Sequence, residues 1–451
     1  MSARDCIRKV VLMSVMIINN LEDLEQYITN LRLDIPVEHD LSYLGKPVTI
    51  GNRIAPNSIA IHPMEGADGE QDGSPSELTF ERYRSFAAGG AGVIWMEAVA
   101  VVQDGRANPR QLFLNARTKD AFSRLVEETK EAALKSCGHE PLLIVQLTHS
   151  GRYSKPTGQP QPVIAYYNAY LDKASELSEG YPLVADNYLK DLIDRFGEAA
   201  RFAKEAGFDG VDIKSCHGYL LAELLSGFNR PGQFGGDYDR RTKLLRETVQ
   251  HVHADHGNQL LVGVRLNLFD GLPKPNGWGA SENGEVDFSE PQRLIQELVA
   301  EGVSVFNATA GNPYYQPHIN RPYSSGGYKP PESPLVGVER LMKLSNKMQE
   351  VAGDVPVIGV GFSFLRSAGP YVAAAAVKQG NTKMAGFGRL AFAYPDFPKQ
   401  ILQDGPLTRS QTCTACSGCT NLMRAGQTTG CIIRNSYYRN LWRDVARGGV
   451  K

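Results

Sequence analysis

Residues 209–223 have the sequence DGVDIKSCHGYLLAE, in which an apolar segment ends in a cluster of polar side chains. The residues at 210–213 predict a short buried strand, and the apolar residues 220–225 begin a helical pattern. Gly218 permits a sharp change of direction between the two, because glycine tolerates backbone conformations closed to other residues. The stretch therefore predicts a strand, a turn and a helix, the repeating unit of α/β proteins.

Lys214, Cys216, His217 and Tyr219 lie within six residues at the carboxyl end of this predicted strand. Parallel α/β sheets place their functional sites at the carboxyl ends of strands, because loops there vary without disturbing the core. A capped turn with an incidental histidine would explain His217 alone. Lysine, histidine and tyrosine together favour a site that moves protons.

The composition is that of an ordinary globular protein: of 451 residues, 42% are hydrophobic and 22% charged. The 48 Lys and Arg nearly balance the 49 Asp and Glu, so we expect no nucleic-acid partner and a small-molecule ligand. The apolar run 10–18 is too short to span a bilayer and no clear cleavage site follows it, which predicts a cytoplasmic protein without membrane contact. Met16 is a more typical start, in which case residues 1–15 are a leader.

Between residues 41 and 405 the sequence repeats a short β-branched run, a loop and an amphipathic stretch. The predicted strands are Ser58–Pro63, Gly92–Val99, Leu142–Thr148, Gly210–Ile213, Leu260–Leu266, Val303–Ala308, Pro356–Val360 and Thr382–Gly388. Eight alternating units favour an α/β fold of the (β/α)8 TIM-barrel type, longer than the ~250 residues typical of it because of loop insertions. A doubly wound sheet is the alternative, which the absence of GxGxxG after the first strand disfavours.

The barrel is expected to lie between two further segments. Residues 1–40 form an amino-terminal extension, in which a Leu-rich helical period from Leu21 and an extended connection to Asp40 suggest a lid or plug. Residues 406–451 form a cysteine-rich tail. The helices predicted between the strands are Glu77–Ala88, Thr118–Lys135, Asp186–Ala206, Arg240–His253, Phe288–Ala300, Val336–Val351 and Pro370–Lys378.

Polar and glycine residues follow several of the predicted strands. Arg265 stands alone in an apolar run, so it faces either an anionic ligand or a buried carboxylate. Glycine loops at 359–362 and 386–389 end the last two strands, where backbone N–H groups can approach a phosphate and Arg389 can pair with it bidentately. Together the two loops predict a phosphate site.

These motifs, in this order, resemble the Old Yellow Enzyme family of flavin oxidoreductases from about Leu44 to Phe397. The resemblance rests on PMEG (63–66), RYRSFAAGGAGVIWMEAVAV (82–101), QLTHSGR (146–152), GFDGVDIKSCHGYLLAELLSGFNRPGQFGGDYDRR (207–241), VGVRLN (262–267) and GFGRLAFAYPD (386–396).

The resemblance implies FMN across the barrel mouth, with Arg265 beside N1 of the isoalloxazine ring, where a fixed cation stabilises the anionic reduced flavin. The implied cofactor-binding residues are Pro63, Met64, Glu65, Ala98, Gln146, Arg265, Gly361, Phe362, Gly388 and Arg389.

The resemblance also implies that Lys214 and His217 hold a substrate carbonyl and that Tyr219 donates a proton. Lys214 departs from the more common histidine: it either polarises the carbonyl with an altered preference for electron acceptors, or pairs instead with the flavin or a loop carboxylate. After strand six, His318 and Arg321 have a spacing similar to that of dienoyl-CoA reductases, where a histidine takes part in protonation. Tyr314, in the same loop, either takes part in the chemistry or simply lines the pocket.

Cys413, Cys416, Cys419 and Cys431 form a C-x2-C-x2-C-x11-C pattern. Three thiolates two residues apart with a distant fourth favour a [4Fe–4S] cluster. Structural zinc usually pairs two C-x2-C knuckles, and a disulfide knot is rarer still in the cytosol. The arrangement is similar to the site that follows the barrel in dienoyl-CoA reductase and trimethylamine dehydrogenase. The latter holds FMN through a cysteine after strand one, where Met64 and Glu65 stand here, so we expect noncovalent FMN.

Three functional classes follow from the resemblance: an ene-reductase that transfers hydride to an activated C=C bond, an oxidative N-demethylase of a small amine, and an electron-transfer module without its own substrate. The similar larger enzymes continue into FAD and dinucleotide-binding domains, whereas this sequence ends 20 residues after Cys431 without a second flavin fold. We therefore expect reduction by NAD(P)H at FMN or by a separate donor protein through the cluster. The oligomeric state stays open.

Overall fold

Eight parallel strands close into a barrel in the computed structural model, which describes residues 16–447. The barrel order is β10-β3-β4-β5-β6-β7-β8-β9, so the last strand pairs with the first. The strands are β1 Val48–Ile50, β2 Arg53–Ala55, β3 Ile59–Ile61, β4 Val93–Ala100, β5 Leu142–Thr148, β6 Gly210–Ile213, β7 Leu261–Asn267, β8 Val305–Thr309, β9 Val357–Gly359 and β10 Met384–Phe387. The predicted TIM barrel is confirmed, and the doubly wound alternative is wrong because the pairing of β10 with β3 leaves no open edge.

Each of the eight predicted strands is present, with shifted ends. The first shortens from Ser58–Pro63 to Ile59–Ile61, because only these residues pair with β10, and of them Ala60 and Ile61 also pair with β4. By contrast β4 extends through Ala100 and its register shifts between Met96 and Ala98. The predicted leader at residues 1–15 lies outside the described residues.

Helices cover the outside of the barrel and build its loops. The helices are Leu21–Leu31, Glu77–Ala88, Lys119–Cys137, Ala169–Ala174, Asp186–Glu205, Leu220–Leu225, Tyr238–His256, Ser289–Ala300, Pro317–Asn320, Pro334–Ala352, Gly369–Lys378, Arg389–Ala393, Phe397–Lys399, Gly418–Arg424 and Ser436–Ala446. All seven predicted helices are present within three residues of their expected ends. Within residues 16–447, no helix has the length and hydropathy to cross a membrane.

The amino-terminal end of the barrel is closed by the antiparallel hairpin β1–β2. Ile50 and Ala55 of the hairpin are fully buried and belong to the same apolar cluster as Trp95, Ile144 and Val305, which fill the barrel interior. The hairpin is therefore the plug, which the sequence analysis did not identify.

The segment predicted as a lid or plug, residues 21–40, lies along the outside of the barrel. Leu24 and Leu31 are buried in the outer core between strands and helices. The backbone N–H of Asp34 donates to Glu339, on the helix that follows β8. The chain just before the segment also reaches the residues that follow β9, where Oγ of Ser367 donates to the carbonyl of Asn19 at 3.2 Å, so a lid role for the segment stays a prediction.

A buried carboxylate joins four neighbouring strands inside the barrel. Asp212 on β6 accepts hydrogen bonds from Nε1 of Trp95 (2.8 Å), Nε2 of Gln146 (2.6 Å) and the backbone N–H of Arg265 (2.6 Å). Burial raises the pKa of Asp212 to about 6, while these hydrogen bonds lower it. Gln146 and Arg265 are thereby fixed in the layer just below the barrel mouth.

A second buried network joins the loop after β5 to the helix after β6. The Arg152 guanidinium contacts Glu223 and Asp172, and the side chains of Arg152 and Glu223 are 0% and 1% exposed. Burial raises the pKa of Glu223, against the lowering effect of Arg152. The second carboxylate oxygen accepts the backbone N–H of Ala165 at 3.0 Å, so the pair also fixes the intervening loop.

Replacing Arg152 by Met should lower the free energy of unfolding by roughly 3–5 kcal/mol, because Glu223 would remain as a buried carboxylate without its cation. Urea denaturation followed by far-UV circular dichroism measures the loss. The double variant Arg152→Met/Glu223→Leu should recover much of it, since the one carboxylate that then lacks its cation, Asp172, has a side chain that is 24% exposed. An equal loss in both variants would show that side-chain volume, rather than charge pairing, determines the stability here.

Candidate functional site

Two adjoining cavities lie at the carboxyl ends of the barrel strands. We name them by one residue each: the Gly388 cavity, of about 140 Å³, and the Tyr219 cavity, of about 150 Å³. Residues common to both walls are Pro63, Met64, His217, Arg265, Asn320, Arg321 and Thr420. One ligand can therefore extend from one cavity into the other.

The Gly388 cavity has the features of an anion site. Gly361 has a φ of 113°, a left-handed conformation that favours glycine, and lines the cavity with Gly388. Nη2 of Arg389 donates to the carbonyl of Pro322 at 2.7 Å, while Nη1 is buried without a hydrogen-bond partner. A buried guanidinium nitrogen beside exposed glycine backbone fits a phosphate.

Two of the predicted cofactor-binding side chains do not line either cavity. Phe362 packs against Phe387 in the outer core, with ring centroids 5.7 Å apart. Ala98 lies in β4, where its carbonyl accepts from Gln111 at 3.1 Å. Their side chains can act only indirectly on a ligand in the cavities, whereas the other eight predicted residues line one or both walls.

Arg265 lies where the two cavities meet. It forms no ion pair with any residue in 16–447, and its Nε is buried without a partner. Of the two alternatives stated for Arg265, the geometry favours an anionic or electron-rich ligand over a carboxylate partner. Burial lowers the pKa of Arg265. The charge of Arg265 also acts on His62, whose pKa falls to about 3 through burial first and Arg265 second.

The turn after β6 places His217 at the wall of both cavities. His217 and Gly218 have φ values of 66° and 69°, two successive left-handed residues that produce the sharp change of direction predicted for Gly218. Such a conformation is strained for histidine and marks functional sites. Burial, then Arg265 and Lys214, hold the pKa of His217 well below its usual value, so the imidazole is neutral. A neutral imidazole can donate one hydrogen bond to a ligand.

Lys214, Tyr219 and Glu65 form one network in the Tyr219 cavity. The hydroxyl of Tyr219 donates to Oε1 of Glu65 at 3.2 Å, and Nζ of Lys214 lies 3.7 Å from the same oxygen. The ammonium of Lys214 also lies 3.8 Å above the ring of Tyr219. Burial lowers the pKa of Lys214 and raises that of Tyr219 well above its usual value. The tyrosine therefore keeps its proton in the resting site.

Tyr314 extends this network toward solvent. Its hydroxyl is 2.9 Å from that of Tyr219, and 40% of the residue is exposed. Tyr153 stacks on Tyr314 with centroids 3.9 Å apart. The side chain of Asn312 holds both rings, because it accepts the backbone N–H of Tyr314 and donates to the hydroxyl of Tyr153 at 2.8 Å.

Sequence reasoning missed Tyr153 and Asn312. Neither belongs to a spacing pattern with Tyr219, and the three lie on loops after β5, β6 and β8 that meet only once the barrel closes. Asn312 also contacts the strained turn: a Cβ added to Gly218 would lie 2.4 Å from its Nδ2. Close packing against Asn312 thus adds a second reason for glycine at residue 218.

His318 lies away from the residues with which it was grouped. Its Nδ1 contacts the hydroxyl of Tyr328, and its Nε2 lies 3.9 Å from Glu332. His318 lines neither cavity. Arg321, from the same loop, lines both and reaches the tail, where Nη1 donates to Oγ of Ser417 at 3.3 Å. The structure thus brings Arg321, but not His318, together with Tyr219.

The cysteine-rich tail packs against the cavities. Cys419, Thr420 and Met423, on the helix Gly418–Arg424, line the Tyr219 cavity. Backbone N–H groups of Ala415 and Arg434 donate to Sγ of Cys413 and Cys431, each at 3.4 Å. Such N–H···S bonds suit thiolates that bind a metal cluster.

The four thiols are close enough for their charges to interact. Burial raises the pKa of Cys413 to about 11, against the lowering effect of Arg389 and with smaller raising contributions from the Cys419 and Cys431 thiols. Within the described residues, no three His, Cys, Asp or Glu side chains converge closely enough to count as a metal-ion site. The four-cysteine ligand set therefore stays a prediction.

Comparison with known proteins places this geometry in a family. The model of the NADH:flavin oxidoreductase / NADH oxidase family matches residues 43–407. Among curated relatives, the NADPH dehydrogenase of Clostridium acetobutylicum is 30% identical over 277 residues, which are 60% of this chain and 74% of that protein. The cinnamate reductase of Clostridium sporogenes is 26% identical over 408 residues, 86% of this chain and 56% of that protein.

Solved structures show the same fold. A 2-naphthoyl-CoA reductase complex superposes with a TM-score of 0.71 at 20% identity, over 89% of this chain and 58% of that one. Histamine dehydrogenase from Rhizobium sp. 4-9 gives a TM-score of 0.67 at 20% identity, over 88% and 53%. This chain thus spans little more than half of several larger relatives. Because the family model covers most of the chain, the protein belongs to the NADH:flavin oxidoreductase / NADH oxidase family, as a flavin-dependent oxidoreductase.

Proposed function

We propose that the protein is an FMN-dependent ene-reductase that reduces an activated C=C bond of an unsaturated carbonyl-type substrate. The observation that carries the proposal is the meeting of Lys214, His217 and Tyr219 in one cavity that adjoins the phosphate-type Gly388 cavity. FMN, when bound and reduced, supplies the hydride. Gly361, Gly388 and Arg389 would hold its phosphate, and Arg265 and Gln146 would contact its ring.

The residues of the Tyr219 cavity would bind the substrate carbonyl and supply the proton. His217, neutral, donates a hydrogen bond to the substrate carbonyl, and Lys214 adds a buried positive charge beside it. Both stabilise the negative charge that develops on the carbonyl oxygen as hydride arrives. Tyr219 then gives its proton to the α-carbon. The tyrosinate that remains lies under the ammonium of Lys214, and Tyr314 connects it to solvent for reprotonation.

We further propose that the four cysteines bind a [4Fe–4S] cluster that delivers electrons to this site. Four thiols, of which Cys413 and Cys431 accept N–H···S hydrogen bonds, match the ligands of such a cluster. Electrons would come from NAD(P)H or from a separate donor protein.

The excess of positive charge in the Tyr219 cavity favours an ene-reductase over an enzyme that oxidises amines. Four cationic side chains and one carboxylate line the Tyr219 cavity, which repels a protonated amine. An amine dehydrogenase would be favoured by an aromatic bowl that holds the cation, but of Tyr314, Tyr315 and Tyr323 only Tyr314 lines the cavity walls. An electron-transfer module without a substrate is also disfavoured, since Tyr314 in the cavity wall is 40% exposed and so connects the cavity to the surface.

Anaerobically purified protein should contain about one FMN and about four irons per chain. Acid precipitation should release the flavin into the supernatant, because Met64 and Glu65 offer no thiol for a covalent link. Absorbance of the supernatant and elemental analysis measure both. Flavin that stays on the pellet would contradict noncovalent binding, and zinc in place of iron would contradict the cluster.

Replacing Tyr219 by Phe should slow substrate reduction by about 10²- to 10⁴-fold while flavin reduction is unchanged, since the ring stays and the proton is lost. Anaerobic stopped flow of the reduced holoenzyme with 2-cyclohexenone measures the step. Tyr315→Phe is the matched control, because Tyr315 packs against Tyr170 outside the cavity. His318→Ala should react at the parental rate; a slow His318→Ala beside a normal Tyr219→Phe would assign proton donation to His318.

Replacing Cys416 by Ala should abolish multiple turnover with a donor that enters through the cluster, while the dithionite-reduced enzyme still reduces substrate once. Cys137→Ala is the control, because Cys137 ends an outer helix far along the chain from the tail. Full turnover of Cys416→Ala with NADPH would show direct reduction of FMN instead. FMN content is measured in each variant, so that loss of flavin is not mistaken for loss of electron transfer.

A further inference from the structure

The Tyr219 cavity holds more positive charge than its own residues balance. Lys214, Arg265, Arg321 and Arg424 line it, and Glu65 is the one carboxylate among its wall residues. Bringing cations together in a cavity of reduced polarity costs free energy unless anions are present.

Three of the cations already have partners or roles. Lys214 lies 3.7 Å from Glu65. Arg265 faces both cavities and is assigned to the flavin under the proposed function. Arg321 is buried between Arg389 and the tail, where it donates to Ser417 and the charge of the Cys419 thiol acts on it. These three leave no anion for the fourth cation.

Arg424 has no partner of its own. It forms no ion pair and no hydrogen bond with any residue between 16 and 447, although it ends the helix that carries Cys419. A cation at a helix carboxyl terminus is favourable on its own, which would explain an arginine pointing into solvent. Here the side chain lines the cavity instead, with Nη1 over the bare backbone of Gly327, where an added Cβ would lie 3.6 Å away.

The position of Arg424 differs from that of the carbonyl-binding pair. Lys214 is buried and His217 is half-buried where the two cavities adjoin, whereas Arg424, on the tail helix, is exposed and lines the cavity at its surface. Between the two ends the wall is apolar, with Met64, Pro313 and Met423 as examples. A matching ligand has a reactive carbonyl at one end, an apolar body, and an anionic group at the other.

We propose that Arg424 binds an anionic group of the substrate that lies distal to the reacting double bond, either a carboxylate or a phosphate of a thioester carrier. This assignment rests on the ene-reductase function proposed above. It makes Arg424 a specificity-determining residue supplied by the tail rather than by the barrel. The carboxylate or phosphate would pair with the guanidinium bidentately, at a site where the surrounding apolar wall strengthens the interaction.

The test compares substrates that share the reacting bond and differ in the distal anion. One pair is 4-carboxybenzylideneacetone and its methyl ester, and the other is cinnamoyl-CoA and the N-acetylcysteamine thioester of cinnamate. In Arg424→Gln, KM for the anionic member that the enzyme prefers should rise about 10- to 100-fold with kcat retained, as expected for a lost charge-assisted bidentate pair. KM for the neutral member should change less than about threefold. The substrate pair whose anionic member shows the raised KM tells whether Arg424 binds a carboxylate or a phosphate.

Two variants and one binding measurement keep the outcome unambiguous. Arg443→Gln, which removes an exposed arginine from the helix Ser436–Ala446 outside the cavity, should leave both members of each pair unaffected. Arg424→Lys should recover part of the affinity if Arg424→Gln disturbs the tail, which iron content reports. Binding to the oxidised holoenzyme, followed by the change in flavin absorbance, measures Kd without turnover.

Equal effects on anionic and neutral members, or no effect on either pair, would overturn the role of Arg424. A parental enzyme that reduces the neutral members but shows no preference for the anionic ones would keep the ene-reductase function and reject the anion site. If the parental enzyme binds the anionic compounds through Arg424 but reduces none of the four compounds, the anion site is kept and the ene-reductase function is rejected.

Discussion

The site depends on a carboxylate buried inside the barrel. Asp212 receives hydrogen bonds from β4, β5 and β7, and so fixes the depth and direction at which Gln146 and Arg265 leave their strands. A carboxylate in such a place is costly, as its raised pKa shows, and three donors offset the cost. Asp212 cannot be replaced by an apolar residue without a cost, because the indole N–H of Trp95 and the side-chain amide of Gln146 would then be buried without a hydrogen-bond acceptor.

Above this layer, the turn after β6 stores conformational strain. Two consecutive left-handed residues, His217 and Gly218, let the chain reverse within the length available between the strand and the helix 220–225. The strain is held by packing, since Asn312 fills the space beside Gly218 and orients Tyr153 and Tyr314. Strain, aromatic stacking and proton-carrying groups thus occur together, which is the usual combination at a catalytic site.

The sequence predicted what depends on local pattern. The alternation of short apolar runs with loops and amphipathic stretches predicted all eight barrel strands. The polar cluster at 214–219 predicted the position of the candidate site. Other features depend on contacts between distant parts of the chain. The hairpin β1–β2 is too short to show a clear hydrophobic period. Asn312 contacts Gly218 only because the loops after β6 and β8 meet in the closed barrel. His318 shares its spacing with a catalytic histidine, yet spacing does not fix direction, and the turn at 317–320 points it toward Glu332.

The cysteine-rich tail contributes residues to the candidate site. Residues 406–451 contain six arginines, one lysine and a single acidic residue, Asp444, whereas the rest of the chain carries a net negative charge. The positive charge of Arg389 lowers the pKa of the Cys413 thiol, against the larger raising effect of burial, and so favours cluster binding. The same segment lines the cavity through Cys419, Thr420, Met423 and Arg424. Under the functions proposed above, one segment would serve both electron input and substrate choice, and loss of the cluster would also open the cavity wall and weaken substrate binding.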